Sequence, residues 1–179
     1  MRPVLPLPVK FFASIISRDA KFMEEALDRL KSRFGEADYL SSPLPFDWTD
    51  YYAKEMGTDL LRRVASFERL MAAEKLPEIK IFTNGVEGVF THEGKRAVNI
   101  DPGYLTRHNL VLASCKDFSH RVYLGMGVYA EVTLIFRNGE YTPLPWTYPD
   151  YGKDSLRGIF KEIRSRYAAK LKEGGQGAK

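Results

Sequence analysis

The chain has 179 residues, of which 44% are hydrophobic and 28% charged, with a formal net charge of +4 and a pI near 9.1. That length lets one domain bury a core without staples, and no run approaches the ~20 apolar residues that span a membrane. The single cysteine, Cys115, excludes an internal disulfide and a cysteine-cluster metal site, and the mild basicity falls short of a dedicated nucleic-acid binder.

Prolines at 3, 6 and 8 interrupt any signal-peptide apolar region, so the cytoplasm is the expected location. Val9 to Ile16 reads as a strand, apolar on both faces apart from Lys10 and Ser14, and hence central. Asp19 can cap a helix whose stripe is Phe22, Met23, Ala26, Leu27, Leu30 and Phe34, with Gly35 as its stop. Residues 36–50 read as irregular or edge structure, and Thr49 to Gly57 as holding a helical turn. Arg62 to Leu70 is a second strand. Pro77 opens a second amphipathic helix carrying Ile79, Phe82, Val86 and Val89.

Ala97 to Asp101 reads as a short strand turned by Pro102-Gly103, and Asn109 to Lys116 as another that holds Cys115 as an inert core residue. Arg121 to Leu124 and Val128 to Arg137 follow. Asn138-Gly139 is the strongest hairpin signal, and Glu140 to Trp146 returns as an edge strand. Asp154 or Ser155 caps a final helix with Leu156, Ile159, Ile163 and Tyr167 on one face. Residues 172–179 read as a disordered basic tail outside a single α+β domain of residues 1–171. The fold class is therefore α+β. It has a mainly antiparallel sheet with ferredoxin-like β-α-β units, helices covering one face, and a C-terminal hairpin and helix.

Strand side chains alternate faces. Ala65, Phe67, Val98, Ile100, Val132 and Leu134 form the apolar face expected under the helices of Leu27, Leu30, Phe82 and Ile163. Glu68, Asp101 and Glu131 then share the other face, with Arg69, Arg107, His120 and Arg121 close in sequence. Such a set suits a phosphorylated or nucleotide-like ligand: carboxylates can hold Mg²⁺ and arginines clamp phosphoryl oxygens. In this reading Asp101, His120 and Glu131 are the catalytic candidates. Glu68, Arg69, Tyr104, Arg121 and Tyr129 are the ligand-binding ones, with Asp47 and Asp50 delivered by the aromatic, acidic loop FDWTDYY. The competing readings are the wet face of a sheet, a capping turn at Asp47 or Thr49, and a hydrophobic plug at WTYPDY. A second function class is an RNA- or protein-binding module that stacks on Tyr123 and Tyr129 and anchors through the basic last helix.

No G-x-x-x-x-G-K-[ST], G-x-G-x-x-G or G-x-S-x-G is present, and no two histidines have ligand spacing. The strings VNIDPGYLT, KDFSHRVYLGMGVYAEVTL, LPWTYPDY, PFDWTDYY and SFERL resemble a prokaryotic family known as domain of unknown function 4416. The resemblance runs from about Val9 to the final helix. It implies no established activity and transfers no catalytic residue. The GTP-binding label of some members finds no physical support without a P-loop.

Overall fold

The computed structural model describes residues 2–175. In chain order its elements are β1 (Val9–Ser17), α1 (Ala20–Phe34), β2 (Ala37–Leu40), β3 (Leu44–Pro45), α2 (Ala53–Met56) and β4 (Leu61–Met71). A single 3₁₀ turn then leads into α3 (Leu76–Val89), β5 (Thr91–His92), β6 (Lys95–Arg96), β7 (Asn99–Leu105) and β8 (Asn109–Ser114). The chain closes with β9 (Val122–Gly125), β10 (Val128–Arg137), β11 (Glu140–Pro143) and α4 (Asp154–Glu173). Among these residues no helix is long and apolar enough to cross a membrane.

One large sheet runs β11-β10-β8-β7-β1-β4-β2, with β3 added on β4 and β9 on β10, and every pairing is antiparallel. Because β4 and β7 both oppose β1, they are parallel to each other with β1 between them. The crossover through α3 makes the split β-α-β unit that the ferredoxin-like reading expects. The α1 connection joins β1 to β2, which like β1 opposes β4 and so runs parallel to β1 with β4 between them, a second unit of the same kind.

The central strand is apolar on both sides because both sides are covered. Phe11, Ala13 and Ile15 pack under α1 and α3 with Leu27, Leu30, Ile79, Phe67 and Ile100. Phe12 points the other way into a cluster with Leu110, Leu134, Leu156, Phe160 and Ile163 of α4. The helices are therefore split between the faces, and Ile163 does not share a side with Leu27 and Phe82 as its stripe alone suggested. α1 starts where Asp19 Oδ1 accepts the Lys21 and Phe22 amides, and it ends at Gly35 with φ +90°. α4 begins after Lys153 with no side-chain cap, so neither expected cap, Asp154 or Ser155, serves, and Asp154 pairs with Arg157. The helix runs through Glu173, two residues past the expected domain boundary, with Leu171 buried. Residues 176–179 of the expected tail lie outside the described residues.

Two departures from strict alternation shape the sheet. β7 does not turn at Pro102-Gly103 but runs through both, with Ala13 opposite Pro102 and Phe12 opposite Gly103. Gly103 is required by close approach: a Cβ there would stand 2.4 Å from the Val111 carbonyl oxygen and 2.6 Å from the Phe12 ring. The β7–β8 ladder starts at Gly103–Leu112, so the two strands part beyond it, toward Asp101 and Ser114. Pro102, which has no N–H to give, sits at that parting.

The second departure is a bulge in β10 between Val132 and Leu134. It flips the parity, so Val132 packs with Leu76 on the α3 face while Leu134 joins the α4 face. The expected common burial of Val132 and Leu134 fails for this reason. β8 ends at Ser114, and Cys115 is exposed rather than buried.

Candidate functional site

α4 covers only part of its face of the sheet. The remainder, around the β7–β8 parting, holds a cavity of about 220 Å³. Its floor comes from Arg62 of β4, Asp101 of β7, Leu112 to Ser114 of β8 and Glu131 of β10. Two aromatic loops and the β8–β9 connection wall it in.

The first loop alternates. Phe46, Trp48 and Tyr52 pack inward against Ile16, Met56 and Leu60, while Asp47 between them faces water. The Phe46 amide bonds the Leu60 carbonyl at 2.8 Å, and Thr49 Oγ1 accepts the Tyr51 amide at 3.1 Å. The second loop is pinned by the β10 bulge. Carbonyls freed there accept from side chains: Val132 O from Trp146 Nε1 at 2.9 Å, and Thr133 O from Thr147 Oγ1 at 2.5 Å. That fixes the chain that delivers Tyr148, Asp150 and Tyr151. Trp48 and Tyr148 bring the two loops together, with ring centroids 5.9 Å apart.

Two buried ion pairs lie in the cavity lining. Arg62 and Asp150 are both nearly sealed, with Nη1 2.5 Å from Oδ2. The guanidinium sits between the Phe46 and Tyr151 rings, 4.8 and 5.1 Å from their centroids. The pair is close but poorly aligned, and Arg62 Nε has no hydrogen-bond partner among the described residues. Glu131, 2% exposed, is held by three groups. Its Oε2 accepts from Arg121 Nε at 3.0 Å and lies 2.9 Å from His120 Nε2, and its Oε1 accepts from Thr133 Oγ1 at 3.2 Å. Arg121 also donates to the Tyr148 hydroxyl at 3.0 Å.

Asp101 stands differently. Its Oδ2 accepts from the Asn99 amide at 3.2 Å, and Asn99 in turn accepts from Arg96, which Glu55 and Glu87 hold. Burial pushes the Tyr52 phenol well above its usual range, and the Asp101 carboxylate pushes it further. Burial does the same to Tyr151, with Asp101 and Asp150 adding and Arg62 opposing. Both phenols are therefore neutral hydrogen-bonding groups at neutral pH.

Of the candidates read from the sequence, Asp101, Glu131 and Arg121 meet in this cavity, and His120 reaches Glu131 from outside the lining, stacked on Trp146 at 5.3 Å. Glu68 and Arg69 do not join them. They lie where β4 passes the end of α4, beside a shallow groove with Lys170 and Glu173. The β1–β4 irregularity after Lys10 accompanies this: Lys10 is opposite Leu70, yet Phe12 is opposite Ser66. Tyr104 falls on the α3 face with Val111 and Leu76, as its alternation from Asp101 requires. Tyr129 packs on Tyr123 at 5.2 Å, outside the cavity. Asp47 pairs with Lys153 and, with Asp50, lines a depression beyond the loop.

No three His, Cys, Asp or Glu side chains among the described residues stand close enough to hold a metal ion, so the acidic trio does not build a Mg²⁺ site. Several cations of α4 are matched by acids, Lys161 by Glu140, Arg166 by Glu162 and Lys170 by Glu173, which weakens the helix as an anchor for RNA.

Arg62, Asp150, Lys116 and the tyrosines of both loops were not among the sequence candidates. Arg62 carried a signal. It has the parity of Val64 on a strand buried on both faces, where a charge needs a buried partner.

A family model described as domain of unknown function 4416 matches residues 7–167, and the chain belongs to that family. No curated protein and no solved structure matches it.

Proposed function

We propose that the chain binds a small phosphorylated or nucleotide-like compound in the cavity at the β7–β8 parting. The observation that carries this reading is the pair of buried ion pairs, Arg62–Asp150 and Arg121–Glu131, assembled in one aromatic-walled cavity. Buried pairs are commonly no better for stability than apolar side chains of the same volume. A fold that keeps two of them around a void keeps polarity where a ligand can use it. The cavity's size suits a small molecule or the ring end of a larger one. Asp101 is also the group best placed to act as a base on that ligand, because among the described residues no arginine holds it. Glu131, fixed by Arg121, His120 and Thr133, is a positioning group in this reading, and His120 acts through it.

A thermal-shift screen against nucleotides, sugar phosphates and small organic acids, with and without Mg²⁺, tests the proposal. A ligand at about 100 times its Kd adds roughly 2.7 kcal/mol to stability, or about 5–10 °C for a chain of this length. Ser114→Phe, which puts a ring into the cavity, should remove the shift. A screen with no response, or a shift that Ser114→Phe leaves intact, counts against the cavity.

A further inference from the structure

Matching the charges of the cavity leaves two without an opposite. Asp150 takes Arg62, and Glu131 takes Arg121. Asp101 has only the Asn99 amide, and no cation lies within ion-pair distance of it among the described residues. Among the described residues the Lys116 ammonium has only Tyr51, with the hydroxyl at 2.6 Å and the ring centroid at 4.5 Å.

The two unmatched groups stand at different depths. Asp101 is half-buried on the sheet floor at the parting of β7 and β8, whereas Lys116 is exposed in the connection after β8, at the mouth. Between them the wall is aromatic, with Trp48, Tyr51 and Tyr52. A ligand that fills such a space needs a donor at its inner end, an anionic group at its outer end and a flat body between.

Resting on the small-molecule reading above, we infer that the cavity takes its ligand in one direction. A nitrogen heterocycle enters first and gives an N–H to Asp101, and its anionic group stays at the mouth on Lys116. The neutral Tyr52 and Tyr151 phenols are the groups beside Asp101 that can bond the remaining polar edge of the ring.

Isothermal titration of the full chain with the ribonucleoside 5′-monophosphates, the matching nucleosides and ribose 5-phosphate tests the direction. At least one monophosphate should bind, and its nucleoside should bind at least about tenfold more weakly, as expected for loss of a charge-assisted contact. Lys116→Met, a change at an exposed position, should abolish that difference. Asp101→Asn should weaken monophosphate and nucleoside by the same factor, and a melting curve shows that the variant is folded. Ribose 5-phosphate, which lacks the ring, should bind worst and probes the inner contact without any variant. Monophosphate binding that is indifferent to Lys116→Met and to loss of the phosphate, or ribose 5-phosphate binding equally well, would overturn the direction while the small-molecule reading stands. No binding by any of these probes also overturns it, and the reading falls too only if the broader screen is blank.

Discussion

Raising the pH above 10 should destabilise this protein through its sealed tyrosines. Tyr141 is 0% exposed and Tyr151 2%, and burial pushes both phenols far above their usual range. In the unfolded chain each ionises near pH 10. The folded pKa lies above the unfolded one, so the stability these groups contribute is complete below pH 10 and is lost as pH rises. At pH 11, one unit above the unfolded pKa, each sealed ring costs about 1.4 kcal/mol, or roughly 3 kcal/mol for the two. Lys10 acts in the opposite sense: burial lowers its pKa, so its contribution grows as pH approaches 10.5. Comparing variants cancels that background. Tyr141→Phe is the clean probe, because the Tyr141 hydroxyl has no hydrogen-bond partner among the described residues. Denaturant unfolding at pH 9 and pH 11 should show the variant gaining about 1.4 kcal/mol on the wild type between the two. An unchanged difference, or tyrosinate absorbance showing every tyrosine of the folded protein ionising near pH 10, would refute the sealing of these rings.

Further expectations follow from packing. Phe67→Ala removes a ring that stacks on Phe11 at 5.1 Å and touches Phe34, and should cost ~3–5 kcal/mol by chemical denaturation; a loss below ~1 kcal/mol would mean the α1 face is misassigned. Gly103→Ala drives a methyl into the Val111 carbonyl and the Phe12 ring, so a cost of at least ~1–3 kcal/mol is expected, with only part recovered by Phe12→Leu because the carbonyl belongs to the β8 ladder. Arg121→Met strands the buried Glu131 and should cost ~3–5 kcal/mol, whereas adding Glu131→Leu should restore much of it; a double variant no better than the single one would show that the pair itself stabilises the fold.

Much of the architecture was legible because local signals agreed with tertiary placement. Asp19 and Gly35 bracket α1, and β1 reads as central because both of its faces are apolar. Asn138-Gly139, with φ +50° and +82°, turns the last hairpin. The errors trace to single residues. Pro102-Gly103 is turn chemistry in sequence, but β7 runs through it because β8 leaves the proline without a ladder partner and Phe12 fills the space over the glycine. The β10 bulge moves Leu134 to the other face from Val132, and alternation cannot anticipate an inserted residue. Asp101 and Glu131 were placed on one face correctly. Glu68 was expected beside them but stands apart in the structure, because its distance along β4 depends on strand pairing that parity does not reveal. Asp150 and the loop tyrosines were unreadable as site residues, since nothing local says which loop residues fold inward.

Mapping where a ligand found in the screen binds is the most direct test of the cavity. Backbone amide chemical shifts of the labelled full chain, recorded through a titration, should move at Asp101, Ser114, Lys116 and the flanks of Tyr52 and Tyr148, the residues at the β7–β8 parting and its walls. Shifts confined to Tyr123 and Tyr129 on the β9–β10 edge, or to Glu68 and Lys170 in the groove beside the end of α4, would contradict it.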